Sequence, residues 1–558
     1  MNTRAFTLSP LLIALGLTVG LTGCSDSNSV SRPAGLVPPP KRVELAQDVY
    51  FYQLVFEDVA TGEPINEALQ VTLTGPAVDA GLVVDANNVS LKGKTLTTDI
   101  GSVTVAAKYD ATNTNFSVLV GNATTGWTQT GVELRKETST IGNQTLVIKL
   151  VNPKKAAAVN TNTDLALAVV SSNFTASATG AISDSAISLA TADKSSKNDA
   201  GDLENIGIAT IDLPAGVNAL DASGNKISLA GNITASTVKF GNGSATSMSA
   251  FPGGFTPTVV DQAGQTNNTG AFITGGFAQF NLTDSNGTAI KKFDQDVTLS
   301  IDLPKTSKKL DGTALLAGDS YPVWSYDEAT GNWQFETNGL ISEKTPVDPD
   351  NFTVSFKSKH LSYWNLDFLG QTCTGTLNLG RTTLDTRPLS VELVGVSGSR
   401  FYQSFYDVRD QQQTFARYPK DMLVNIVVRD ERNSIISRST VPQNLCNTGT
   451  ISIPAPPVVP RASLIVNVTE SCPNGESRRA SPTTVAFYDG RRWYAGYARS
   501  NPTSNVARVS LDGMPSPAQG TLYVFNPLTG GYERQSVTVN APSTTTTVNL
   551  PNLKCQAV

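Results

Sequence analysis

Hydrophobic and polar residues alternate over short stretches along most of the chain, and Gly, Asn, Asp and Pro separate these stretches. Alternation with a period of two predicts β-strands, because successive side chains of a strand point to opposite faces of its sheet. Asp489-Gly490, between the runs Thr483–Tyr488 and Arg491–Tyr497, predicts a tight hairpin. No long amphipathic helix is evident. The pattern therefore predicts an all-β chain made of several tandem β-sandwich domains.

The N-terminus carries a targeting pattern. A mostly apolar run over residues 8–21 is shorter than the roughly 20 residues that span a bilayer, and it leads into Cys24. The final Leu-Thr-Gly-Cys resembles the lipobox of bacterial lipoproteins, which implies a signal peptide over 1–23 and lipidation of Cys24. An ordinary secretory signal with an incidental cysteine is the alternative. Residues 24–43, rich in Ser and Pro, are then a flexible lipidated tether.

The first predicted sandwich covers residues 44–152. A strand over Tyr52–Asp58, a turn over Thr61–Ile65 and a second strand over Leu69–Leu73 resemble the start of carboxypeptidase-regulatory-like modules of the transthyretin type. Residues 153–200, rich in Ala, Ser, Thr and Asn, are predicted to be a linker with weak strands.

Residues 201–370 form a larger predicted sandwich unit. The runs Ile211–Gly216, Asp319–Glu328 and His360–Asn365, in this order, resemble a bacterial surface-protein segment. That segment is related to the self-cleaving β-sandwiches of eukaryotes, which include the GAIN domains of adhesion receptors.

The C-terminal part is an internal repeat of two Ig-like sandwiches, 371–455 and 461–556, joined by the Pro-rich stretch 453–460. Each copy begins near one cysteine and closes at another: Cys373 and Cys446, then Cys472 and Cys555. Four thiols allow three pairings, and the repeat register favours Cys373–Cys446 with Cys472–Cys555. Disulfides fit an oxidising compartment of the cell envelope.

Composition limits the possible chemistry. The 558 residues include one histidine, five cysteines and a net charge of −5. A single His excludes zinc sites built on two or three His, and no C-x-x-C pair is present, so we expect no metal or cofactor. The negative charge argues against nucleic acid as a partner.

The single histidine lies in His360-Leu361-Ser362. In the self-cleaving sandwiches that this segment resembles, a His two residues before a Ser or Thr takes the hydroxyl proton, and the freed oxygen attacks the preceding carbonyl. The resemblance therefore implies self-cleavage between Leu361 and Ser362. A structural hydrogen bond between His360 and Ser362 is the alternative.

Charge is distributed unevenly. Residues 370–558 hold 18 basic and 12 acidic side chains, whereas the whole chain holds 42 and 47. Most of the C-terminal bases are arginines, whose planar forks suit carboxylate, sulfate or phosphate groups. Arg491, Arg492 and Trp493 at the predicted hairpin tip are the first candidates for such binding; a solvated surface is the alternative.

These patterns predict a membrane-anchored bacterial lipoprotein that acts as a binding, adhesion or envelope-interaction module. Ser25 follows Cys24 in place of an inner-membrane retention Asp, which favours the outer membrane. The expected partners are the membrane, through the lipid anchor, and anionic glycans or envelope proteins. Self-processing at Leu361-Ser362 is one alternative. A secreted glycan-directed hydrolase is the other alternative, although the sequence shows no second catalytic group near His360.

Overall fold

The computed structural model describes residues 49–551 apart from short gaps at 86–88, 109, 114, 136–141, 178–179, 200, 222, 230, 329, 383–384, 386, 397–399, 431–433, 456–459, 473–476, 479, 481–482, 501–503 and 527–530. Strands dominate the described residues, as the alternating pattern predicts. They form tandem β-sandwich units, here called the first, central, third and fourth domains.

The first domain begins with the apolar run of the chain's first strand. Its elements are β1 (Val49–Asp58), β2 (Leu69–Thr74), α1 (Pro76–Asp79), β3 (Val83–Val84), β4 (Thr95–Thr98), β5 (Ser102–Lys108), β6 (Asn115–Asn122), a 3-10 helix (Ala123–Thr125), β7 (Trp127–Arg135) and β8 (Gly142–Leu150). The strands form two sheets, β3-β5-β1-β8 and β4-β2-β6-β7, whose inner faces enclose one hydrophobic core.

The central domain contains longer strands. Its elements are α2 (Pro153–Ala158), β9 (Leu167–Thr175), β10 (Ile187–Ala190), β11 (Ser195–Lys197), β12 (Leu203–Asn205), β13 (Ala209–Leu213), β14 (Ala219–Leu220), β15 (Asn232–Phe240), α3 (Ala245–Met248), β16 (Val259–Val260), β17 (Thr266–Asn267), β18 (Ala271–Thr283), β19 (Ala289–Ile290), β20 (Lys292–Pro304), β21 (Ser320–Asp327), β22 (Asn332–Ser342), β23 (Asn351–His360) and β24 (Tyr363–Gly370).

The main sheet of the central domain runs β10-β13-β20-β23-β22-β21-β24-β18-β15-β9. Ile211 on β13 and Ile233 on β15 belong to the same buried cluster as Trp364 on β24. Strands that are far apart in the sheet order therefore meet in one core, which means that the sheet folds over on itself.

Residues 153–200 do not form the predicted linker. β9 pairs with β15 along nine residues from Leu167 to Thr175, and β10 pairs with β13. The polar composition of this segment suggests a linker, but β9 is an edge strand, which tolerates polar residues. Its Leu167 and Val169 are buried, whereas Ser171 and Asn173 face solvent. Most of this segment is thus part of the central domain.

The third and fourth domains complete the described chain. The third comprises β25 (Thr372–Gly380), β26 (Leu389–Gly395), β27 (Tyr402–Val408), β28 (Gln412–Pro419), β29 (Val424–Arg429), β30 (Ile435–Arg438), a 3-10 helix (Leu445–Asn447) and β31 (Gly449–Ser452). The fourth comprises β32 (Arg461–Ser471), β33 (Ser477–Arg478), β34 (Thr483–Tyr488), β35 (Trp493–Ser500), β36 (Ala507–Pro515), β37 (Ala518–Asn526), β38 (Gly531–Val539) and β39 (Ser543–Pro551).

These two domains share one strand plan, which supports the repeat seen in the sequence. In the third, β25 pairs antiparallel with β28 and parallel with β31, while β26 pairs with β27 and β29, and β29 with β30. In the fourth, β32 pairs antiparallel with β36 and parallel with β39, while β34 pairs with β35 and β37, and β37 with β38.

The first domain follows this plan as well. There β1 pairs antiparallel with β5 and parallel with β8, β2 pairs with β4 and β6, and β6 pairs with β7. The sequence repeat predicted two copies of the sandwich, whereas the pairing identifies three.

The fourth domain packs against the first. Val55 of β1 is buried against Ala486 and Trp493, and the Phe51 ring stacks on Tyr497 with 4.2 Å between centroids. Leu54, which directly precedes Val55 in β1, points into the first domain's own core. β1 is therefore buried on both faces, which explains its almost uninterrupted apolar sequence.

The central domain contacts both of its neighbours. The hydroxyl groups of Thr128 and Tyr363 lie 3.3 Å apart across its boundary with the first domain. The Thr274 N–H donates to the Arg400 carbonyl at 2.8 Å across its boundary with the third domain. In the described ranges the α-helices are four to six residues long, and none is long and apolar enough to cross a membrane.

Candidate functional site

His360 and Ser362 lie at the connection between β23 and β24. The His360 Nε2 is 3.1 Å from Glu336 Oε1, and its ring lies 4.9 Å, centroid to centroid, from Trp364. Burial raises the pKa of Glu336, but hydrogen bonds from His360 and Ser325 outweigh this and leave the pKa below its ordinary value. Glu336 thus orients the imidazole.

The Ser362 hydroxyl has a different partner. Its side chain is buried, and the hydroxyl donates to the Tyr326 carbonyl. Leu361 is buried too, and its N–H donates to the Lys291 carbonyl at 2.9 Å. Among the described residues, His360 and Ser362 share no side-chain hydrogen bond. A general base acts within about 2.6–3.2 Å of the proton that it removes, so proton transfer here requires a rearrangement.

The cysteine pairing is seen in the third domain. Cys373 on β25 is bonded to Cys446, just before β31, with 5.9 Å between their Cα atoms. The bond ties the domain's first strand to the parallel strand that closes it, as the repeat register predicts. Cys472 in the fourth domain is also disulfide-bonded. Cys555 and Cys24 both lie outside the described residues.

The Arg491–Trp493 segment lies on the predicted hairpin between β34 and β35. Asp489 organises the turn: its carboxylate accepts hydrogen bonds from the N–H groups of Arg491 at 2.9 Å and Arg492 at 2.8 Å. Gly490 has a φ of +86°, which a residue with a side chain adopts at a cost. The Asp-Gly pair therefore forms the turn that the sequence predicts.

The three candidate binding residues differ in exposure, although all three line one cleft. Trp493 is only 8% exposed, because it packs on Val55 and stacks on Tyr488. The Arg492 guanidinium donates to the Pro388 carbonyl of the third domain at 3.1 Å. Arg491 alone is exposed. Docking of the fourth domain is the physical reason, since it turns the hairpin tip into an interdomain contact.

A cleft of about 270 Å³ lies at this contact, and all four domains contribute to its walls. We call it the junction cleft. Its charged and aromatic walls come from the first, third and fourth domains, and they include Glu57, Lys149, Glu392, Arg429, Arg491 and Trp493. Ala245 and Thr246 of the central domain complete it. Such interdomain positions are common for ligand sites.

The charges of the junction cleft are only partly paired. Arg429 Nε lies 3.1 Å from Glu392 Oε2. The Arg491 guanidinium and the Lys149 ammonium form no ion pair with another described residue, and the buried Trp493 Nε1 has no hydrogen-bond partner there. Arg491 and Lys149 are thus the cations that can meet an anionic acceptor, in a cleft that the carboxylates of Glu57 and Asp430 also line.

Glu57 opposes these cations. Burial raises its pKa above the ordinary value, and the nearby charge of Lys149 offsets part of this increase. Glu57 and Lys149 carry no sequence signal of a binding site. Both lie on strands of the first domain, and a charged residue at an outward strand position is the ordinary signature of a solvated face.

Several aromatic and acidic residues of the central domain have structural roles. Trp324 and Trp333 are core residues whose indole N–H groups donate to the Asp367 and Pro252 carbonyls. Asp221 and Asp284 cap hairpin turns by accepting backbone N–H groups two and four residues ahead. No group of three potential metal ligands occurs in the part of the chain that the structure describes.

Comparison with known proteins gives distant structural likenesses. No protein-family model and no curated protein matches the chain. A leucine-rich repeat protein from Bacteroides thetaiotaomicron is 13% identical over 33% of this chain and 27% of its own, with a TM-score of 0.13. GBS52, the minor pilin of Streptococcus agalactiae, is 10% identical over 33% of this chain and 97% of its own (TM-score 0.16). BcpA, the major pilin subunit of Bacillus cereus, is 9% identical over 91% and 99% (TM-score 0.14). With scores this low, function must be argued from the chain's own residues.

Proposed function

We propose that this chain is a lipid-anchored adhesion module of the bacterial cell envelope, held at the outer membrane through Cys24. Its junction cleft binds carboxylate or sulfate groups of anionic glycans or envelope proteins. The observation that carries this proposal is the pair of cations, Arg491 and Lys149, which line the cleft and form no ion pair with another described residue. Trp493, whose Nε1 has no hydrogen-bond partner in the described part of the chain, lines the same cleft. An arginine fork and an ammonium together suit such an anion.

The proposal predicts that Arg491→Glu weakens binding to chondroitin sulfate, which carries both carboxylate and sulfate groups. We expect at least a tenfold loss, because one favourable charge is replaced by a repulsive one. Surface plasmon resonance with immobilised chondroitin sulfate measures this. Wild-type binding should also weaken as salt increases, since salt screens charges at an open cleft.

Arg508→Glu is the matched control. Arg508 is an exposed arginine on β36 of the same domain and does not line the junction cleft. The charge change is identical, so a general electrostatic effect moves both variants alike. Equal binding of Arg491→Glu and wild type would contradict the proposal.

Self-cleavage is the second candidate function. The observation that favours it is the placement of His360 and Ser362 at one strand connection, with the Leu361-Ser362 bond between them. Cleavage requires the Ser362 hydroxyl to leave the Tyr326 carbonyl and turn towards the imidazole.

Intact-mass measurement of the purified, denatured chain tests this candidate. If the chain cuts itself, two fragments appear whose masses sum to that of the chain plus one water, and Ser362→Ala yields one species. The matched control is Ser358→Ala, which changes a nearby serine that hydrogen-bonds the His360 backbone. A single intact mass for the mature wild-type chain excludes self-cleavage.

A further inference from the structure

A second cleft, of about 370 Å³, separates the first domain from the sheet of the central domain. We call it the polar cleft. Its floor is the outer face of β9, β15 and β18, where Ser171, Ser236 and Asn281 are cross-strand partners in one row. Cross-strand partners project from the same face of a sheet, so these three groups point into the same space.

Much of the remaining lining is also polar, although Leu119, Trp127 and Pro153 contribute apolar surface. Thr234 and Thr283 form the next row of the floor, and Thr72, Asn122 and Gln129 of the first domain face it from the opposite wall. Hydroxyl and amide groups both donate and accept hydrogen bonds. The cleft is therefore matched to a ligand whose groups do both.

Gln279 provides independent evidence for a ligand. Its side chain lines the cleft and is 3% exposed, and its Oε1 has no hydrogen-bond partner among the described residues. Leaving a buried polar group unpaired costs about 1–3 kcal/mol. A donor that enters the cleft removes this penalty, so Gln279 Oε1 is a vacant acceptor.

The charges in this cleft exclude a strongly ionic ligand. Lys291 Nζ lies 2.9 Å from Glu328 Oε1, so the two charges neutralise each other. Lys154 is exposed and is the remaining charged residue of the lining. An aliphatic ligand is disfavoured as well, because it would leave the surrounding polar groups unpaired.

We propose that the polar cleft binds a short neutral oligosaccharide, whose hydroxyl groups donate to Gln279 Oε1 and exchange hydrogen bonds with Ser236 and Asn281. A volume of about 370 Å³ lies within the range of small-ligand sites. This site is separate from the junction cleft and does not depend on Arg491.

Gln279→Met tests the proposal, because methionine keeps the size of the side chain and removes only the amide. The full chain is screened on an array of neutral mono-, di- and trisaccharides, and each hit is titrated by calorimetry. We expect Gln279→Met to weaken binding of a hit at least tenfold while its melting temperature stays the same or rises, since an unpaired buried group has been removed.

Gln334→Met is the matched control, since Gln334 is an exposed residue of β22 that lies outside the cleft. It should bind as wild type does, and so should Arg491→Glu, which separates this site from the junction cleft. The proposal is overturned if no neutral saccharide binds at millimolar concentration, or if Gln279→Met binds as tightly as wild type.

Discussion

Asp385→Ala is expected to destabilise the third domain by about 3–5 kcal/mol, the usual cost of removing one partner from a buried ion pair. The Asp385 carboxylate receives two hydrogen bonds from Arg387, at 2.9 and 2.8 Å, and lies 3.2 Å from Arg381. All three side chains are buried. Without the carboxylate, Arg381 and Arg387 both lose the buried counter-ion that Asp385 provides. Chemical denaturation followed by circular dichroism measures the loss.

Asp410→Ala is the control for this variant, because Asp410 is an exposed carboxylate of the same domain. Its effect should stay within about 0.5 kcal/mol, as for most surface substitutions. If the two variants unfold at the same denaturant concentration, the buried pair does not stabilise the domain.

The same carboxylate predicts a pH dependence. Burial raises the pKa of Asp385, but hydrogen bonds and charges from Arg387 and Arg381 outweigh this and lower the pKa below its ordinary value. A lowered folded-state pKa contributes stability above the pKa of the unfolded chain, and this contribution is lost as pH falls through the folded value. The difference in stability between wild type and Asp385→Ala should therefore shrink under acidic conditions.

This network also affects the junction cleft. Arg387 Nη2 donates to the Pro454 carbonyl, and the next residue, Pro388, accepts the hydrogen bond from Arg492. The buried arginines therefore anchor the segment on which the fourth domain docks. We expect Asp385→Ala to weaken ligand binding in the junction cleft as well as to destabilise the domain.

Removal of the Cys373–Cys446 disulfide has the second large expected effect. The bond closes a loop with a sequence separation of 73 residues. Replacing both cysteines by alanine should lower the free energy of unfolding by about 2–4 kcal/mol, because the unfolded chain gains conformational entropy. Differential scanning calorimetry of the full chain measures this. The transition of the third domain should move to lower temperature. An unchanged thermogram would show that the bond contributes nothing to the domain's stability.

Much of the fold is predictable from local pattern, because strand alternation and turn residues act over a few positions. The Asp489-Gly490 hairpin is predicted in this way, whereas the Cys373–Cys446 pairing is predicted from the register of the internal repeat. The first domain is predicted as a sandwich, but not as a copy of the C-terminal repeat, because it lacks the cysteines that mark the repeat. Only the pairing of its strands shows that it follows the same plan.

The candidate sites were less predictable, because they depend on contacts between domains. The sequence places Trp493 at a hairpin tip, but its burial against Val55, more than 400 positions away in the sequence, has no local signal. His360 and Ser362 have the spacing of a reactive pair, yet Glu336 and the Tyr326 carbonyl determine where their polar atoms point. Gln279 lies on a strand whose outward side chains are typical of a solvated face.

Adhesion of cells that display the full chain tests the central claim most directly. Cells with the wild-type chain, Arg491→Glu or Arg508→Glu are passed over a surface coated with chondroitin sulfate, and the retained fraction is counted at equal display levels. We predict that wild type and Arg508→Glu are retained and that Arg491→Glu is washed off. Equal retention of all three, or of none above cells without the chain, would contradict the account.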